Sequence, residues 1–252
     1  MTTIGELSAE HTVGGIRLSW SARTDVGHRR AANEDSVLAQ PPFFVVADGM
    51  GGHAAGDLAS AAVVSALAEA APAGSLGRRG LESALQQATD RIDELADGNE
   101  LGVGTTVTGV VLSSGDTAEL TVFNIGDSRV YVAQPGEGLQ RLTVDHSVVQ
   151  ELVEAGVLDP DEAEFHPDSN VITRAVGFGA VPEPDYWTFP AEAGMTLLIC
   201  SDGLTKELRD ARISELALDG TPSEAVEALV DAALASGGHD NVSVIVVRIS
   251  PA

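Results

Sequence analysis

The chain has 252 residues, 44% of them hydrophobic but only 4% aromatic, and its 38 Asp plus Glu outnumber 14 Lys plus Arg for a formal net charge of -24. That length suits one or two domains with a core packed by Val, Ile, Leu and Ala. The charge argues against nucleic acid and anionic membrane surfaces as partners, because both need a basic face; it reads either as an acidic solvated surface, of the kind a salt-tolerant host uses, or as carboxylates kept to bind metal.

The first fifteen residues read as a polar tail ending in Gly14-Gly15. Ile16, Leu18, Trp20 and Ala22 then alternate with polar neighbours, which predicts a strand with one buried face. A second strand is expected at Phe43 to Ala47. The Ala-rich stretch from Ala54 to Ala71 predicts a helix stopped by Pro72, and Leu81, Leu85, Ala88, Ile92 and Leu95 recur at the spacing of a second, amphipathic helix. Strands return at Thr105 to Leu112, Ala118 to Ile125 and Arg129 to Ala133, the last two reading as a hairpin across Gly126-Asp127-Ser128.

Residues 147 to 170 form a polar, acidic, helical-looking insert, with a capping-box pattern at Asp159-Pro160-Asp161-Glu162. Strands are expected again at Met195 to Cys200 and Val242 to Ile249. Between them Thr221-Pro222-Ser223-Glu224 opens a helix with a cap, Pro at the first position and Glu three residues past the cap. The order lacks regular strand-helix alternation, which favours antiparallel sheets with helices packed outside. Cys200 stands alone in an apolar run and reads as a core residue. The amino terminus lacks a basic segment followed by an apolar one, and no run approaches the ~18 apolar residues of a membrane span. A reduced, cytoplasmic protein is expected.

Chemistry gathers where apolar strands meet glycine-rich turns. Four aspartates sit there: Asp48 before Gly49-Met50-Gly51-Gly52-His53, Asp127 after Asn124-Ile125-Gly126, Asp202 after Leu197-Leu198-Ile199-Cys200-Ser201, and Asp240 before Asn241-Val242-Ser243. A strand end holds a carboxylate rigidly, and a neighbouring glycine lets a backbone carbonyl approach the same ligand. Brought together, such groups make an all-oxygen site suited to a hard cation such as Mg²⁺ or Mn²⁺. They span residues 48 to 240, so if they share one site the whole chain is expected to be one domain.

Each motif alone is weak, but their combination and order are specific. Thr24-Asp25-Val26-Gly27, Arg30-Ala31-Ala32-Asn33-Glu34-Asp35, Asp48-Gly49-Met50-Gly51-Gly52-His53, Gly104-Thr105-Thr106, Gly126-Asp127-Ser128-Arg129, Leu142-Thr143-Val144-Asp145-His146-Ser147, Ile172-Thr173-Arg174-Ala175, Ser201-Asp202-Gly203-Leu204 and Asp240-Asn241-Val242-Ser243 follow one another along the chain. In this the chain resembles the bacterial metal-dependent serine/threonine protein phosphatases of type 2C, the PPM family, from about Trp20 to Ile249.

The resemblance implies an α+β fold, a four-layer αββα sandwich of two antiparallel sheets flanked by helices, with a dinuclear Mn²⁺ or Mg²⁺ centre at one end. Residues 16–252 would form one catalytic domain, with a flap at about 147–179 that either controls substrate access or is a surface excursion. Asp48 would bridge two ions and Gly49 would bind one through its carbonyl. Asp202 and Asp240 would hold the other ion, and Glu34 and Asp35 would act mostly through water. Asp127, with Asp202, would bind a third ion, and Arg30 would grip the substrate phosphate.

The implied reaction is hydrolysis of phosphoserine and phosphothreonine by a metal-bridged hydroxide attacking phosphorus in line, with Asp48 and Asp202 as the catalytic carboxylates. Its substrates would be phosphorylated proteins, kinases and their targets, met by a monomer. Met50 stands where animal members carry His, so the proton for the leaving group would come from His53 or a metal-bound water. His146 and Arg174 read as structural. The competing reading is a catalytically silent phosphatase fold that binds a phosphoprotein.

Overall fold

The computed structural model describes residues 2–5, 7–51, 55–71, 78–96, 102–114, 118–177 and 183–252. Its strands are β1 (Thr3–Gly5), β2 (Ser8–Val13), β3 (Ile16–Asp25), β4 (Asp35–Gln40), β5 (Phe43–Gly51), β6 (Val103–Thr105), β7 (Val107–Ser114), β8 (Ala118–Ile125), β9 (Arg129–Ala133), β10 (Gln140–Arg141), β11 (Val176–Gly177), β12 (Asp185–Pro190), β13 (Thr196–Cys200) and β14 (Val242–Pro251). Its helices are α1 (Gly56–Ala70), α2 (Arg78–Ala96), α3 (Val148–Glu154), α4 (Asp202–Thr205), α5 (Asp210–Leu218) and α6 (Pro222–Ser236), with a 3-10 turn at Pro160–Phe165.

Two sheets result. One runs β1-β4-β5-β7-β8-β12, with β6 joining β5 to β11; the other runs β10-β9-β13-β14-β3-β2. Period-2 alternation explains how they stack. Phe43, Val45 and Ala47 of β5 face α1 and α2, whereas Phe44 and Val46 point the other way, into the space between the sheets. There they meet Leu18 and Trp20 of β3, Leu197 and Ile199 of β13, and Ile245 and Val247 of β14. The Trp20 and Phe44 rings pack edge to face, centroids 5.3 Å apart. On the far side, Leu198 and Cys200 turn outward onto α5 and α6. The layers are therefore helix, sheet, sheet, helix, as the family resemblance implies.

The helices follow their sequence signals. Leu81, Leu85, Ala88 and Ile92 form the buried stripe of α2. At α6 the capping box is complete: Thr221 Oγ1 accepts from Glu224 N at 3.3 Å, and Glu224 Oε2 accepts from Thr221 N at 2.8 Å. Pro72, expected to stop α1, lies outside the described residues, as does the side chain of Leu95 in α2.

Several expectations need correction. Residues 118–125 and 129–133 are not a hairpin: β8 pairs with β7 and β12 in one sheet, and β9 pairs with β10 and β13 in the other. The Gly126-Asp127-Ser128 turn crosses between sheets, which places Asp127 at the end of the sandwich. The polar tail carries two strands, β1 on the edge of one sheet and β2 on the edge of the other. Edge strands need only one partner and little burial, so their polar composition hides them. The β1–β4 pairing is also parallel, in an otherwise antiparallel architecture. The insert begins with α3 as expected, but its second helix is the 3-10 turn, whose Phe165 is 79% exposed; a six-residue turn with no apolar face to bury does not extend into an α-helix.

Phe44→Ala is expected to cost about 3–5 kcal/mol in urea denaturation, by opening a cavity between the sheets. A loss below about 1 kcal/mol would contradict the packing described for β5.

Candidate metal centre

One ladder sets the first pair of carboxylates. In the antiparallel β4–β5 register Asp35 is the direct partner of Asp48, so their side chains lie on one face. The Asp48 backbone is clamped from β6 and the residue after it. Thr105 Oγ1 and Thr106 N donate to the Asp48 carbonyl, each at 2.9 Å, and Asp48 N donates to Thr106 Oγ1 at 3.0 Å. This gives the Gly104-Thr105-Thr106 motif its purpose.

Gly49 follows in close contact with the start of α1. A Cβ there would lie 2.0 Å from the Gly56 carbonyl oxygen and 2.6 Å from that of Glu34, so no larger residue fits. Asp127 is carried by the crossover turn. Gly126 adopts φ +109°, and its N–H donates to His146 Nδ1 at 3.1 Å. Arg129, just beyond, lies against Asp145 with contacts of 2.7–3.2 Å, so the Leu142–Ser147 motif braces the turn. His146 and Arg174 both reach Asp185, at 3.2 and 3.1 Å, which ties them into the fold.

The other sheet supplies Asp202 and Asp240. Asp202 opens α4 after β13, and Asp240 precedes β14. Asn241 ties this side to the loop carrying Arg30 and Glu34: its Nδ2 donates to the Val26 and Ala32 carbonyls, and its Oδ1 accepts from Glu34 N at 2.8 Å. Arg30, 51% exposed, donates to Asp240 Oδ2 at 2.7 Å. Asp35 joins the two sheets, its Oδ2 accepting from Ser243 Oγ at 2.6 Å and Ser201 Oγ at 2.9 Å.

Arg30, Glu34, Asp48, Gly49, Asp127, Asp202 and Asp240 all line one cleft of about 460 Å³, with Met50 on its wall and Asn170 and Ile172 of the insert at its side. Asp35 lies beneath, fully buried. His53 lies outside the described residues. Among the described residues no three acidic, His or Cys side chains close into a ready cage for an ion. Two of the candidate ligands are turned instead to protein cations, Asp240 to Arg30 and Asp202 to Lys206. Sequence reasoning assigns no individual role to Lys206, Asn241, Ser201 or Ser243. The last three lie inside the family motifs, and Lys206 has only its spacing of four from Asp202 as a signal.

Burial dominates the electrostatics. It pushes Asp35 up to about 7, against hydrogen bonds from Ser243 and Ser201 and helped by Asp202 and Asp240. Asp127 is likewise pushed up to about 7, by burial and then Asp202. Asp48 is raised well above the usual carboxylate range by burial and by Asp35, Asp202, Asp127 and Asp240 around it. Glu34 is raised by burial too, with Arg30 opposing. Asp35 Oδ1 and Asp202 Oδ1 are buried without a hydrogen-bond partner. Crowded, oxygen-only ligands with unpaired buried lone pairs fit a hard divalent cation, which would relieve both the repulsion and the missing contacts.

Known proteins share this fold and a substantial part of this sequence. Residues 28–235 match the family model for protein phosphatase 2C, and the chain belongs to that family. It is 39% identical over 238 residues to the serine/threonine protein phosphatase PstP of Mycobacterium tuberculosis, which covers 92% of this chain but only 45% of that protein. It is 35% identical over 240 residues to the serine/threonine phosphatase stp of Listeria innocua, covering 90% of this chain and 94% of that one. A crystal structure of the catalytic domain of PstP in complex with two manganese ions superposes with TM-score 0.84 at 37% identity, covering 93% of this chain and 99% of that one.

The raised carboxylates predict how metal-free protein responds to pH. The folded chain holds protons on Asp35, Asp48 and Asp127 that the unfolded chain releases near pH 4, so stability falls as pH rises from about 4 toward about 7. In EDTA, Tm is expected to be lower at about pH 7.5 than at about pH 5, and Mn²⁺ to raise Tm more at the higher pH. A metal-free Tm that rises over this range would contradict the assignment.

Proposed function

We propose that this chain hydrolyses phosphoserine and phosphothreonine esters in proteins, using a pair of Mn²⁺ or Mg²⁺ ions. The observation that carries the reading is the meeting of Asp48 and Gly49 from one sheet with Asp202 and Asp240 from the other in one cleft beside Arg30. When bound, such an ion pair supplies Lewis acidity and lowers the pKa of water toward neutrality. Asp48 would touch both ions, with the Gly49 carbonyl on one and Asp202 and Asp240 on the other. Glu34 and Asp35 would act mostly through water bound to the ions, with Asp35 held in place by Ser201 and Ser243.

Arg30 receives the phosphate. Its planar guanidinium suits two phosphate oxygens at once and offsets the charge that otherwise repels a nucleophile. Met50 has no proton to give, so the cleft wall offers no acid at that position. The buried, unpaired Cys200, its thiol pushed up to about 12 by burial, is no nucleophile.

Phosphorylated bacterial proteins, kinases and their targets, are the substrates this reading names. A monomer in a reducing cytoplasm fits the single buried cysteine. The catalytic domain takes in β1 and β2 together with residues 16–252, with a flap at 147–179 whose Asn170 and Ile172 border the cleft; residues 178 and 179 lie outside the described residues. The silent-module reading is disfavoured by the complete carboxylate set and by relatives named as phosphatases.

Phosphate release from a phosphothreonine peptide is expected with Mn²⁺, to vanish in EDTA and to return on adding Mn²⁺ back. Asp48→Asn and Asp202→Asn should each lower kcat by about 10²-fold or more. Arg30→Ala should cost about 1.5–3 kcal/mol of kcat/KM, roughly 10- to 100-fold. Turnover in EDTA, or an unimpaired Asp202→Asn, would overturn the reading.

A further inference from the structure

Lys206 has no part in the reaction proposed for this cleft, yet it stands at the carboxylate pair that the family resemblance gives to a third ion. Asp202 opens α4, and Lys206 ends it four residues on; the Lys206 N–H donates to the Asp202 carbonyl at 2.8 Å. Residues so spaced lie one above the other on a single helix face, and an acid four residues before a base is the favourable order. The ammonium pairs with Asp202 Oδ2 as a result. Asp127, on the crossover turn, acts on the same ammonium, and all three side chains line the cleft.

We propose that the Lys206 ammonium takes the place of a third divalent ion between Asp127 and Asp202, so that this chain works with two ions. The proposal rests on the dinuclear reading. A third ion does not fit beside this residue. It would have to break the Lys206–Asp202 pair and then sit against a positive charge tethered to the same helical turn, with Asp127 only 8% exposed and little water to screen the two. A tethered cation also pays no association entropy, so it outcompetes a weakly held ion from solution. Asp202 can serve both neighbours: its unpartnered, buried Oδ1 remains for an ion while Oδ2 keeps the lysine.

The test is a count of bound ions. Equilibrium dialysis against Mn²⁺ through the millimolar range, with metal analysis, is expected to give two ions per wild-type chain and three per Lys206→Met chain. Lys206→Met combined with Asp127→Asn should return to two, and Lys206→Arg should stay at two. Three ions on the wild-type chain overturn the proposal and leave the dinuclear reading standing. Two ions on a Lys206→Met chain whose circular dichroism matches wild type also overturn it. Fewer than two on the wild type overturn the dinuclear reading and this inference together.

Discussion

At one end of the sandwich, buried carboxylates from both sheets are forced together. Asp35 and Asp48 face each other because they are cross-strand partners, and Asp202 and Asp240 come in from the opposing sheet, where their strands end or begin. Arg30 and Lys206 offset part of this negative charge from the rim, and burial makes the charged forms of Asp35 and Asp48 costlier still. Either protons or cations must neutralise it. Raised Asp35, Asp48 and Asp127 can hold protons in metal-free protein, and bound cations would relieve the same repulsion, so the fold and its ions are one problem.

The supporting network consists of neutral donors. Ser201 and Ser243 hold one oxygen of Asp35, Thr105 and Thr106 hold the Asp48 backbone, and Asn241 fastens the Arg30–Glu34 loop to the start of β14. Hydroxyls and amides fix the carboxylates without adding charge, and they leave Asp35 Oδ1 and Asp202 Oδ1 without a hydrogen-bond partner. The cations that the chain does supply, Arg30 and Lys206, sit at the rim of the cluster on partly exposed side chains. One pairs with Asp240 and the other with Asp202; on the proposals above, the first meets substrate and the second stands in for a further ion.

Much of this is legible in the amino-acid sequence. A continuous apolar run ended by Asp-Gly is a local signal, and it marks Asp48 and Asp202; the capping box of α6 and the stripe of α2 are equally local. What the sequence hides is set by tertiary pairing. The turn at Gly126-Asp127-Ser128 has hairpin composition, yet β8 and β9 join different sheets, because each finds a better partner elsewhere. β4 and β12 are hard to read since neither Asp35–Gln40 nor Asp185–Pro190 alternates cleanly: β4 is buried along nearly its whole length, and β12 lies on an edge. Lys206 is hidden for a related reason, since its position follows from a four-residue helix too short to be read from periodicity.

Diffraction from crystals grown with Mn²⁺, with data collected at the manganese absorption edge, tests the central claim most directly. The account predicts two anomalous peaks in the cleft, one beside Gly49, one beside Asp202 and Asp240, and Asp48 touching both. Absence of peaks there, or a peak out of reach of Asp48, would contradict it.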